Sequence, residues 1–302
     1  MIEEYSFNTV KELFDYLAPW NTNLEQFIFR GHSKESFELV PSALRLDNQN
    51  NFWNQVNGGR LEPTQIDWSS HQIWGEYHLL REFYRLADMQ GLEVPASELF
   101  RSSLAQRYDL QIQRMQGRNE WIPNDLLEAT ALAQHYGVPT RLLDWSYDRF
   151  VATYFALHGA LGSTEGKVVI WALNRENVTR SQMTAHPICI KFVTPHYSGN
   201  PNISAQKGLF TYVPVTDLSQ GEKMNLYQQG QYIPIDRTPL DQVIRNQVSA
   251  DDNTKYLIKL SLPATEAEKG MSILTSMGYG SSRVFPGYGG VAKQILEQNK
   301  FS

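Results

Sequence analysis

The stretch ALAQHYGVPTRLLDWSYDRFVATYFALHG, residues 131–159, decides how the chain is organised, because it sets polar side chains among large apolar ones. Gly137 suits the left-handed residue that ends a helix, and Pro139 prevents that helix from continuing. The pattern therefore places Gln134 and His135 in the last turn of a helix.

A second helix is predicted to begin near Asp144 or Ser146, both of which are good N-terminal residues, because apolar residues then recur on one helical face. The resulting corner would bring Arg141 and Asp144 close to Gln134 and His135. Two interpretations are open. The polar groups either complement the helix dipoles and pair with each other, or they line a ligand pocket.

Upstream, FIFRGHS at residues 27–33 reads as a buried strand that ends in an arginine. Alternation puts Phe27 and Phe29 on one face and Ile28 and Arg30 on the other, while Gly31 allows a backbone or a ligand to approach closely. The Arg30 guanidinium suits a phosphate or carboxylate, so ligand recognition and an internal salt bridge to a residue such as Asp144 are equally open.

Downstream, NPNISAQKGLFTYVPV at residues 200–215 places Gln206 and Gly208 just before an apolar strand. Gln206 can both donate and accept hydrogen bonds, and Gly208 permits a bend. Taken alone, this pattern is also typical of an ordinary strand entry.

The rest of the chain predicts an α+β protein with a mixed or antiparallel sheet. The strands come from about residues 26–30 and 167–262, and a mainly helical block covers about residues 70–160. The Asn-rich stretch at residues 45–65 is predicted to be a long surface loop. We expect one domain over residues 1–302, with a helical subdomain or insertion at about residues 70–130.

Composition narrows the classes of function. A formal net charge of −5 gives no general attraction to nucleic acid, so such binding would need a local patch. The single cysteine, Cys189, excludes an internal disulfide; its apolar neighbours predict burial, and this usage fits a reducing cytoplasm. No secretory leader or long apolar run is apparent, so we expect a cytoplasmic chain without membrane contact. The oligomeric state is left open.

Four stretches together resemble the FRG-domain family, named for its Phe-Arg-Gly motif. They are FIFRGHSKESFELVPSALR, the central segment from residue 131, AQKGLFT and SSRVFPGYGGVAKQI, so the similarity runs from about residue 24 to 296. The closing stretch reads Phe-Pro-Gly-Tyr-Gly-Gly where the family usually has an acidic Phe-Pro-Asp-Leu-Asp-Gly. The resemblance implies a shared set of residues: Arg30, Gly31, Gln134, His135, Arg141, Asp144 and Gln206.

The pieces FRGH and TYFA, around Arg30 and Tyr154, are also similar to motifs of the ADP-ribosyltransferases. That similarity implies an enzyme that uses NAD to modify a macromolecule, in bacterial or phage conflict. Arg30 would hold a phosphate or ribose, Tyr154 would stack on nicotinamide, and Gln206 would orient the ribose. Glu165 or Glu222 would supply negative charge. The candidate catalytic residues are Arg30, His135 and Gln206, and the candidate ligand-binding residues are Gly31, His32, Gln134, Arg141, Asp144 and Tyr154.

Two other functions are open. The chain would be a sensor that binds a nucleotide or nucleic acid without turnover, or a nuclease-like hydrolase in which Asp144 orients His135. We expect no metal, because His78 and Glu82 lack the second histidine of a zinc helix. A single site requires Arg30 and the corner at residues 134–144 to face one cavity.

Overall fold

A computed structural model describes residues 1–57, 67–104, 120–216, 218–249 and 251–298. The strands are β1 Ile2–Ser6, β2 Phe27–His32, β3 Glu120–Trp121, β4 Leu143–Ser146, β5 Lys167–Asn174, β6 Lys191–Val193, β7 Gly208–Tyr212, β8 Val215–Thr216 and β9 Leu257–Pro263. The helices are α1 Val10–Leu17, α2 Gln49–Asn57, α3 Trp68–Met89, α4 Glu98–Ser103, α5 Leu127–His135, α6 Arg149–His158, α7 Arg175–Ser181, α8 Pro201–Ala205, α9 Gln220–Gln228, α10 Leu240–Gln247, α11 Ala267–Ser276, α12 Ser281–Val284 and α13 Tyr288–Gln298.

In the described part of the chain, seven strands form the main sheet, in the order β1-β9-β5-β2-β4-β7-β6. The pair β1 and β9 is parallel, and the other neighbours are antiparallel. The predicted α+β class with a mixed sheet is therefore confirmed. The strand that carries Arg30, β2, is the central one, which places this side chain deep in the molecule.

The two faces of β2 pack against different cores, as the alternation predicted. Phe27 and Phe29 join a cluster with α1, α6 and α11, whereas Ile28 packs with Leu143 and Leu173 on the other face. Pairing between β2 and β4 is confined to Phe29 with Ser146. Beyond that point β2 pairs with β5 and β4 pairs with β7, so an opening forms between the two central strands.

Helices α3, α4 and α5 pack together on the β6–β7 end of the sheet, where Phe210 and Tyr212 enter their core. A buried ion pair joins α3 to the corner that follows α5: Arg141 Nη2 lies 3.0 Å from Glu76 Oε1. Trp121 Nε1 also donates a hydrogen bond to this carboxylate. The helical block is thus tied to the segment that precedes β4.

Two predictions about secondary structure are wrong. Asp144 does not begin a helix but lies in β4, and α6 begins at Arg149 with Asp148 as its N-cap, whose carboxylate accepts from the Phe150 amide. Part of the stretch predicted as a surface loop, residues 45–65, is helix α2, because Phe52 and Trp53 are spaced to pack against α3. Residues 58–65 of that stretch lie outside the described residues.

The structure also bears on the predictions for Cys189, for the helical block and for the strands of the sheet. Cys189 is exposed, not buried, because its side chain alternates with those of Ile188 and Ile190, which enter the core. Within the helical block predicted at about residues 70–160, α4 is present, and residues 105–119 lie outside the described residues. The terminal strand β1 had no counterpart in the predicted sheet.

Candidate functional site

A cavity of about 350 Å³ opens where β2 and β4 separate. Arg30 and the corner at residues 134–144 face this one cavity, as a single site requires. Six of the nine candidate residues line it: Arg30, Gly31, Gln134, His135, Asp144 and Gln206. Strands β2, β4 and β7 and helices α5, α6 and α8 thus contribute to the same pocket.

Arg30 is held by three acceptors. Its Nη1 lies 2.6 Å from Asp144 Oδ1 and donates to the Asp144 carbonyl oxygen at 2.8 Å, and its Nε donates to His32 Nε2 at 3.0 Å. Its Nη2 makes no hydrogen bond to the described part of the chain. The salt bridge proposed as one alternative for Arg30 is therefore present, and two N–H groups are still free.

His32 supports Arg30 from below the pocket. Because its Nε2 accepts from Arg30, the proton is on Nδ1, which donates to the Phe37 carbonyl oxygen at 3.1 Å. Burial, followed by the positive charge of Arg30, lowers the pKa of His32 to about 3. His32 is therefore neutral at physiological pH and positions Arg30 instead of facing the cavity.

Asp144 is an ionised carboxylate at the edge of the pocket. Desolvation opposes its ionisation, but the charge of Arg30 and the hydrogen bond from Arg30 outweigh it, and the pKa of Asp144 is lowered. The Asp144 side chain is 62% exposed and the Arg30 side chain 11% exposed. Solvent or a ligand can therefore reach this carboxylate, whereas the guanidinium is largely enclosed.

Gly31 allows α6 to pack directly on β2. A Cβ atom at this position would lie 2.0 Å from the Ala152 carbonyl oxygen and 2.8 Å from the Ala156 nitrogen. The close approach expected at Gly31 is thus made by the backbone of α6, which brings Phe155 of that helix to the pocket wall.

Gln134 and His135 end α5, as predicted, and Gly137 has the left-handed φ of +90° that terminates it. Gln134 accepts from Thr140 Oγ1 through Oε1 at 2.7 Å, which leaves its amide nitrogen for another partner. The His135 ring meets the Tyr136 ring edge to face at 5.3 Å. Burial lowers the pKa of His135, so its imidazole is neutral near pH 7.

Gln206 enters from the opposite side, at the end of α8. Its backbone carbonyl accepts from Ser146 Oγ at 2.6 Å, and its Nε2 donates to the Val284 carbonyl oxygen at 3.2 Å. Lys207 follows with φ of +46° and turns the chain into β7 at Gly208. The Gln206 Oε1 acceptor is left without a partner among the described residues.

Aromatic rings complete the pocket, and the sequence had not identified them as site residues. They are Phe29, Tyr136, Trp145, Phe155, Phe210 and Phe285, and Asn202 adds an amide. Phe155 and Phe285 meet edge to face at 5.9 Å. Phe285 lies in the closing RVFPG stretch and Phe155 in the TYFA piece, so the resemblance of these stretches was a usable signal for both, whereas Asn202 had none.

Three of the nine candidates do not reach the pocket: His32, Arg141 and Tyr154. Tyr154 is fully buried in the core on α6, where its hydroxyl lies 2.7 Å from Ser281 Oγ, and burial raises its pKa to about 12. Arg141 is bound to Glu76 and not to Asp144. The neighbour of Tyr154, Phe155, takes the position on the pocket wall.

The carboxylates first considered for catalysis also lie elsewhere. Glu222 closes a capping box with Ser219 at the start of α9, and Glu165 belongs to a separate surface loop. Of the described residues that line the pocket, Asp144 alone carries a carboxylate. The described residues contain no group of three or more His, Cys, Asp or Glu side chains that could hold a metal ion.

Residues 25–165, which include β2, α5, β4 and α6, match the family model of the FRG domain. The matched region supplies Arg30, Gly31, Gln134, His135 and Asp144. Gln206 and Phe285 come from the part that follows it. No curated protein and no solved structure matches the chain. None of the helices in the described ranges has the length and apolarity that a bilayer crossing requires.

Proposed function

We propose that the pocket binds the nicotinamide riboside end of NAD and that the protein transfers ADP-ribose to a macromolecule. The observation that carries this proposal is the ionised Asp144, which is fixed by Arg30 at the edge of an aromatic-walled pocket. Nicotinamide in NAD is a flat, positively charged ring, so aromatic walls and one carboxylate suit it.

In the proposed reaction the bond between nicotinamide N1 and ribose C1′ breaks, and its electron pair goes to the ring nitrogen. Neutral nicotinamide leaves, and the ribose carries an oxocarbenium charge. A carboxylate close to that charge, here Asp144, stabilises the transition state. A nucleophile of the acceptor then bonds to C1′ and loses its proton.

The remaining polar groups have distinct roles in this proposal. Gln206 Oε1 accepts from a ribose hydroxyl, and Arg30 Nη2 donates to a ribose oxygen. Neutral His135 takes the proton of the acceptor nucleophile, since a general base must be unprotonated at the working pH. Gln134 Nε2 is available for the nicotinamide carbonyl oxygen.

The fit with NAD also limits where its diphosphate would lie. The charged side chains of the described lining are Arg30 and Asp144, and their opposite charges largely cancel each other. A diphosphate would gain little in the interior, so we place it toward the solvent.

The second candidate function is nucleotide binding without turnover. It is favoured by one observation: Arg30 already makes three hydrogen bonds inside the protein, and an arginine bound in this way can also have a purely structural role. In this case the same pocket would hold a base and ribose, and the ligand would leave unchanged.

Nicotinamide release from NAD separates the two functions. Wild type should bind NAD in calorimetry and release nicotinamide, and Asp144→Asn should lower release by roughly 100-fold or more while it weakens binding less. Asp15→Asn, an exposed aspartate on α1, is the matched control and should behave as wild type. Binding without release supports the second candidate, and absence of binding overturns both.

A further inference from the structure

A second cavity, of about 530 Å³, lies beside the first, between α3, α5 and the loop before α8. Its walls are apolar: Phe83 comes from α3, Leu132 from α5, and Leu92 and Val94 from the segment after α3. This volume is within the usual range of a ligand site. Apart from Tyr136, none of the residues named above for the first pocket lines this second cavity.

The two cavities share walls. Tyr136 and Ile203 line both, and Tyr136 is 62% exposed at the junction. Tyr136 directly follows His135, whose ring it contacts. A ligand in the second cavity would therefore end next to the neutral imidazole of the first.

The rim of the second cavity is acidic. Glu93 is exposed, and Glu128 lies 3.2 Å from His196 Nε2, with both of these side chains accessible to solvent. The described lining contains no lysine or arginine. Such a rim repels phosphate, so it does not suit the adenosine phosphate half of the same dinucleotide, whereas it attracts cationic groups.

We propose that this second cavity is the acceptor subsite and binds a peptide segment in which a large apolar side chain is flanked by lysine or arginine. The role as acceptor subsite rests on the proposed transferase function, whereas peptide binding itself does not. The apolar side chain fills the space between Phe83 and Leu132, and the flanking cations meet Glu93 and Glu128. The segment next to the anchor then reaches Tyr136 and His135.

Two capped pentapeptides test the subsite, Gly-Lys-Leu-Lys-Gly and Gly-Glu-Leu-Glu-Gly, in NMR titrations without nucleotide. The lysine peptide should bind roughly tenfold more tightly, the order expected when two solvent-exposed charge contacts change sign. The double variant Glu93→Lys, Glu128→Lys should reverse this preference. Glu268→Lys, at an exposed glutamate on α11, should leave it unchanged.

Equal affinities for the two peptides, no binding of either, or a double variant with the wild-type preference would each overturn the proposal. Leu132→Ala adds a readout that does not depend on charge, because it should weaken both peptides alike. Since nucleotide is absent from these titrations, a failure of NAD binding leaves their result intact. Conversely, a failure of peptide binding says nothing against the NAD pocket.

Discussion

His32 offers a quantitative test of how the pocket is built. Its imidazole is buried between the Nε of Arg30 and the carbonyl of Phe37, and the hydrogen bond from Arg30 requires an unprotonated Nε2 and therefore the neutral form. Burial and the charge of Arg30 lower the pKa of His32 from 6.5 to about 3. A proton on Nε2 would remove the acceptor of Arg30 and place two cations in contact.

The lowered pKa makes the free energy of unfolding depend on pH. The unfolded chain takes up a proton on His32 below pH 6.5, whereas the folded chain does not do so until about pH 3. The contribution of His32 to the free energy of unfolding is therefore constant above pH 6.5. It falls as the pH drops from 6.5 to 3 and is constant again below pH 3. At pH 5.0, about 1.5 units below the unfolded pKa, the loss is about 2 kcal/mol, since one unit corresponds to about 1.4 kcal/mol.

The assay is urea denaturation of wild type and His32→Gln at about pH 7.5 and 5.0. Glutamine keeps an acceptor for Arg30 but does not titrate, so the variant should lose about 2 kcal/mol less than wild type over this interval. The readout is the difference between two pH values, so a change in overall stability does not affect it. His186→Gln, at an exposed histidine, should follow wild type. Equal losses in wild type and His32→Gln would show that His32 does not have a lowered pKa in the folded protein.

Two further substitutions test the packing behind the site by denaturant unfolding. Gly31→Ala should destabilise the protein by at least about 2 kcal/mol, because the added Cβ would meet the Ala152 carbonyl. Gly221→Ala is the control; it has open space around it and should be neutral or slightly stabilising. Equal effects of the two substitutions would contradict the close approach of α6 to Gly31. Glu76→Gln should lower the free energy of unfolding by about 3–5 kcal/mol, because it leaves the charge of buried Arg141 unpaired. Glu176→Gln, in an exposed ion pair, is the control and should lower it by no more than about 1 kcal/mol. A small loss for Glu76→Gln would show that the buried pair does not tie α3 to the corner.

Local sequence patterns were sufficient to predict a structural feature wherever a single helix or strand determines that feature. Alternation in β2 assigned Ile28 and Phe29 to opposite faces, and Gly137 located the end of α5. The start of α6 was misplaced because Asp144 and Ser146 are good N-caps, and only the pairing of β4 with β7, some 65 residues away, makes that segment a strand. Helix α2 was missed because its Asn-rich exposed face resembles a loop, although Phe52 and Trp53 are buried.

The site was partly predictable for a similar reason. Arg30, Gln134, His135, Asp144 and Gln206 were identified from motifs, and the structure brings them to one pocket. The partner of Arg141 was not predictable, because Glu76 lies 65 residues earlier, on a helix that also carries Glu82. Tyr154 and Phe155 are adjacent, and only the packing of α6 on β2 decides which ring reaches the pocket.

The decisive measurement is the structure of the protein with NAD bound. The nicotinamide ring should lie in the pocket between β2 and β4, beside Phe155 and Phe285, with the attached ribose within about 3.2 Å of Asp144 and Gln206. NAD bound elsewhere, or a pocket that stays empty at saturating NAD while Arg30 and Asp144 remain paired, would contradict the proposed function.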